Sequence, residues 1–184
     1  RNGLEQAATR YNQIWVEGEN VHVLLTDGQG RRFGLVNGKM VKEIPGVKFQ
    51  GIDSIDLWEE SGDPIYYVPV GIQFTISIDA ANIKEVTEAS IAMIGPGYDL
   101  EVDAIRLDPG QKDSIKFASD GKSLTYQTDS NESPIFVLGY ESKGADYGFI
   151  VRGMSIDSGS AVTLNLDKDK GLLNLSSQGN KQTA

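Results

Sequence analysis

The stretch Tyr98-Asp-Leu-Glu-Val-Asp-Ala-Ile-Arg-Leu107 decides the fold class. Tyr98, Leu100 and Val102 alternate with Asp99, Glu101 and Asp103, so an extended chain turns one face apolar and gives the other three carboxylates. The apolar positions then move to Ile105 and Leu107, a change of parity. A single extra residue near Asp103–Ala104 restores the inward face, which predicts a β-bulge there. Asp108-Pro-Gly-Gln and Ser119-Asp-Gly-Lys have turn chemistry and predict a meander over 98–128.

The same alternation recurs on both sides. Short strands are expected at 65–70, 74–79, 89–94, 114–118, 123–128, 135–140, 147–152, 161–166 and 172–176, separated by Gly, Pro, Asn, Asp or Ser clusters. This spacing predicts an all-β fold, an antiparallel β-sandwich over 65–177. Upstream, 21–26, 32–36 and 39–44 form a small three-stranded unit, with Asn37-Gly38 as a two-residue hairpin turn. Residues 46–64 read as irregular, and Asp53, Asp56, Glu59, Glu60 and Asp63 surround Trp58 in an acidic loop. Leu4, Ala7, Ala8, Tyr11, Ile14 and Trp15 follow the helical period, so one N-terminal helix is expected over 1–18. The domain plan is therefore a helix (1–18), a β-meander with the acidic loop (19–64), the sandwich (65–177) and a polar tail (178–184).

Composition excludes several chemistries. The chain has 184 residues, no cysteine and one histidine, with Lys+Arg 17 against Asp+Glu 26 for a net charge of −9. A thiol nucleophile, a disulfide framework and a Cys-His metal site are impossible. Phosphate binding needs clustered Lys and Arg, so the charge argues against nucleic acid. No apolar run approaches the roughly 18 residues of a membrane helix. The chain opens at Arg1 rather than an initiator Met, which reads as a processed or excised segment, so the missing leader says nothing about secretion.

Few constellations suggest chemistry. His22 lies on a strand with no nucleophile or metal-ligand motif around it. Asp167 and Asp169, with Gly171, are spaced like the opening of a calcium loop, but no glutamate closes it. Asp99, Glu101 and Asp103 crowd three acids on one strand face as a second metal candidate, with Lys112 and Lys116 on the following strand as the expected counter-charges. Trp15, Trp58, Tyr66 and Tyr67 are candidates for a sugar-stacking platform, and Trp58 and Tyr67 also for contact. Tyr11, Ile14 and Trp15 form the candidate docking stripe of the helix.

Leu25-Thr-Asp-Gly-Gln-Gly-Arg-Arg-Phe-Gly34, Glu43-Ile-Pro-Gly46 and Tyr66-Tyr-Val-Pro69 together resemble a segment of secreted bacterial multidomain proteins that leads into an Ig-like sandwich. Pro96-Gly-Tyr98, Leu107-Asp-Pro-Gly-Gln111 and Gly144-Ala-Asp-Tyr-Gly-Phe149 resemble its continuation. Val47 stands where that segment has alanine. The resemblance implies an extracellular or cell-surface accessory module, and its motifs are turn and strand signatures without catalytic residues. The expectation is a non-enzymatic module without a cofactor. It would contact a neighbouring domain of the same polypeptide or a surface protein, with a carbohydrate- or calcium-binding module as the alternative.

Overall fold

The computed structural model describes residues 11–50 and 64–179. They form two antiparallel sheets that face each other across one apolar core. Strands are numbered in chain order. The seven-stranded sheet runs, edge to edge, β13 (Ala145–Val151), β12 (Ile135–Ser142), β9 (Tyr98–Leu107), β8 (Thr87–Gly95), β1 (Tyr11–Glu17), β6 (Ile65–Pro69) and β5 (Lys48–Gln50). The eight-stranded sheet runs β15 (Leu172–Gln178), β14 (Ala161–Asp167), β11 (Ser123–Thr128), β10 (Lys112–Phe117), β7 (Phe74–Asp79), β2 (His22–Asp27), β3 (Arg32–Val36) and β4 (Lys39–Lys42).

Alternation explains the layers. Along β9, Tyr98, Leu100, Val102, Ile105 and Leu107 are buried, and along β7 so are Phe74, Ile76 and Ile78. Each fully buried aliphatic or aromatic side chain contributes about 1.5–3 kcal/mol, which makes the two inner faces seek each other. From β8 onward the hairpins go to alternate sheets: β8–β9, then β10–β11 opposite, then β12–β13 and β14–β15.

The expected bulge lies at the predicted place. Ala89 pairs with Ile105 and Ile91 with Val102, so Ser90 alone opposes Asp103 and Ala104. Ala104 takes φ +54°, and the Asp103 carboxylate accepts its N–H at 2.7 Å. The extra residue returns Ile105 and Leu107 to the core.

Other expectations need correction. Residues 11–17 are a strand, not the end of a helix. β1 lies between β6 and β8 and pairs with both, and its aromatic and β-branched side chains suit a pleated surface. The first part of the expected helix, 1–10, lies outside the described residues, as do 51–63 with Trp58 and the tail from 180. The meander over 98–128 is also broken. The 108–111 turn carries the chain from β9 to the opposite sheet, so Lys112 and Lys116 cannot neutralise the β9 acids. The neighbours of β9 are β8 and β12. The three strands over 22–42 pair in sequence as expected, and β2 joins them to the eight-stranded sheet by pairing with β7 along six residues. β5, within the stretch expected to be irregular, pairs with β6.

Candidate contact face and groove

The two outer faces of the sandwich differ in chemistry. On the eight-stranded sheet, one cross-strand row reads Thr26, Thr75, Lys116, Thr125, Thr163 and Ser176. This is an ordinary solvated surface. On the seven-stranded sheet, the row through Ile65, Trp15, Ala92, Glu101, Val137 and Ile150 is apolar at five of six positions. Trp15 is 37% exposed, Ile150 60%, and Ile94 on the neighbouring row 43%. Such a row on an outer face departs from the apolar-in, polar-out pattern of an antiparallel sheet.

Around β1 the face is aromatic. The Tyr11 and Tyr67 rings meet edge-on, with centroids 6.4 Å apart. Lys48 sets its ammonium 5.2 Å from the centre of the Tyr11 ring. Tyr67 donates its hydroxyl to Gln50 at 2.6 Å, and the Trp15 indole N–H reaches Gln13 Oε1 at 3.3 Å. Of the expected contact residues, the structure therefore brings Tyr11, Trp15 and Tyr67 to one face. Ile14 points the other way and is fully buried. In a strand, neighbours take opposite faces, so the helical stripe is split.

The same sheet ends in a groove. The β8–β9, β10–β11, β12–β13 and β14–β15 turns gather at one end of the sandwich. There Tyr98 donates to Asn12 Oδ1 at 2.5 Å and lies 2.9 Å from the Ser119 carbonyl, and Tyr140 donates to the Gly121 carbonyl. These bonds clamp a turn of one sheet to strands of the other. An open groove of about 520 Å³ runs beside them, edged by Ile94, Asp99, Glu141, Asp146 and Tyr147. Gly139 forms part of its floor, and a Cβ there would stand 2.0 Å from Asp99 Oδ1. The carboxylate thus lies across a position that only glycine leaves open.

Three of the five metal candidates, Asp167, Glu101 and Asp103, have local partners on their carboxylates. Asp167 Oδ1 accepts the N–H groups of Asp169 and Lys170 at 3.1 Å each, and Lys170 Nζ stands 3.8 Å from its second oxygen. Glu101 accepts the Ser90 hydroxyl at 2.8 Å, and Asp103 caps the bulge. Among the described residues, no group of three or more His, Asp or Glu side chains is arranged to hold a metal ion. His22 pairs in register with Asp79, and burial lowers its pKa more than that carboxylate raises it.

A buried polar cluster escaped sequence reasoning. Gln111 donates through Nε2 to both Asp113 Oδ2 and Glu132 Oε1, each at 3.0 Å, and Tyr126 donates to Asp113 Oδ2 at 2.5 Å. The four side chains are nearly inaccessible to solvent. Burial pushes both carboxyl groups above their ordinary range. The only sequence signal was parity, because Asp113 occupies an inward position of β10.

No protein-family model, curated protein or solved structure gives a significant match to the chain. Among the described residues no helix is long and apolar enough to cross a membrane.

Proposed function

We propose that this chain is a non-enzymatic, Ig-like extracellular module that works by contact. Its seven-stranded outer face would dock on a neighbouring domain of the same polypeptide or on a surface protein. The observation that carries this reading is the asymmetry of the two outer faces, hydroxyl-rich along one row and apolar at five of six positions from Ile65 to Ile150 along the other. Covering that row would remove apolar area from water at about 25 cal/mol per Å² before the costs of association.

The carbohydrate alternative draws on the same face, where Trp15 and Tyr67 stand beside Gln13 and Gln50. The edge-on Tyr11–Tyr67 pair and the Lys48 ammonium over Tyr11 do not make a flat stacking platform, which favours a protein partner. Hydroxyl-radical footprinting separates the readings. Trp15 and Ile94 should oxidise readily in the isolated chain and become protected in a longer polypeptide that includes the adjoining domain. Equal oxidation in both, or protection by a polysaccharide that also raises Tm, would reject the protein-contact reading.

A further inference from the structure

The four sheet edges are not alike. At one end of the sandwich, β4 has four residues and β5 three, and both carry lysine: Lys39, Lys42 and Lys48. Short, lysine-bearing edges discourage pairing with another chain. At the other end, β13 and β15 each run seven residues without a register shift, with no lysine or proline in either. Among the described residues neither has a strand on its outer side. Their core-facing side chains are incompletely covered: Tyr147 is 40% exposed and Leu175 49%, while Phe149, Val151 and Leu173 are only partly buried. Among the described residues, both sheets are therefore left open at the same end.

An occupant must bring two strand edges about 10 Å apart, with apolar side chains between them. One extended peptide cannot do so. We propose that the occupant is a second copy of this chain, related by a twofold axis normal to the sheets, with β13 pairing antiparallel to its own copy about Phe149. This register sets Tyr147 opposite Val151 on the core side and Gly148 opposite Ile150 on the outer side. Asp146 then faces Arg152, the residue that follows β13, and the symmetry repeats that pair. The opposite charges meet twice. Within the chain Asp146 lies directly across from Glu141 of β12, a like-charge pair that a cation on the open side of β13 relieves. Neither Asp146 nor Arg152 forms an ion pair among the described residues. The Leu173 and Leu175 side chains of β15 would meet their counterparts across the same axis. This inference is independent of the outer-face reading above and stands if that reading fails.

Sedimentation equilibrium of the full chain tests it, with D146K, R152E and the double variant compared. The wild type should form a dimer. Each single reversal puts like charges together and should raise the dissociation constant about tenfold or more, whereas the double variant should restore it. Thermal unfolding of each variant shows whether the fold is intact. A wild-type monomer, an open-ended polymer, or a dimer indifferent to all of these substitutions would overturn the proposal.

Discussion

Ala104 holds a left-handed backbone conformation at φ +54° so that one extra residue fits opposite Ser90. For an L-residue with a Cβ that conformation costs roughly 1–2 kcal/mol. Glycine removes the strain but adds about 0.5–1 kcal/mol of unfolded-state entropy. Ala104→Gly should therefore leave stability unchanged or raise it by up to about 1.5 kcal/mol in urea unfolding, whereas the β-branched Ala104→Val should lower it by about 1–2 kcal/mol. The bulge was legible because the parity of apolar residues changes between Val102 and Ile105. The capping bond from Asp103 to the Ala104 N–H was not, since an acid at an outward position reads equally well as plain solvent exposure. Asp99 shows the same limit. Its charge is visible in the sequence, but its seat across Gly139 depends on a strand about forty residues away.

At the scale of elements, β1 is where local pattern and final structure part. Tyr11, Ile14 and Trp15 share a face at the helical period, but in β1 Ile14 and Trp15 take opposite sides. Ile14→Ala should cost about 2–5 kcal/mol, as for a fully buried aliphatic residue, and Trp15→Ala about 1 kcal/mol or less, measured by chemical denaturation. Equal losses at both positions would contradict the strand assignment. The strands from β6 onward were readable because each carries its own alternation between strong turn signals. β1 competes with a helical pattern that continues upstream, and pairing with β6 and β8 decides in favour of the strand. β5 is only three residues long, too short for any periodicity to register.

On the scale of the whole molecule, the cluster around Gln111 ties the two sheets together. Glu132 accepts the backbone N–H of Arg106 on β9 at 3.3 Å and bonds through Gln111 to Asp113 on β10, while its own backbone pairs with Ile156. The charged groups facing the pair are Asp129, which raises the Asp113 pKa, and Arg106, which lowers that of Glu132 against the stronger effect of burial. Both carboxyl groups titrate higher in the folded chain than in the unfolded one, so the folded state binds more protons. Their contribution is fully present below the unfolded carboxylate pKa of about 4 and is lost as pH rises through the folded values. The Tm of the wild type should accordingly fall from mildly acidic to neutral pH. Asp113→Asn should flatten that slope relative to the wild type, a comparison that removes the general effect of the −9 net charge. A steeper slope in the variant would contradict the assignment.

The alternation of apolar and polar residues, with Gly, Pro and Asp at the turns, determined by itself the all-β class, most strand positions and the bulge. These are properties of a few consecutive residues, because side chains on a strand alternate wherever the strand goes. Only the tertiary structure decided that β9 and β10 belong to opposite sheets, that Tyr11, Trp15 and Tyr67 share an outer face, and that Asp113 and Glu132 meet in the interior. Those outcomes depend on which strands pair and which faces close on the core. Such contacts join residues far apart in the chain, and no local pattern encodes them.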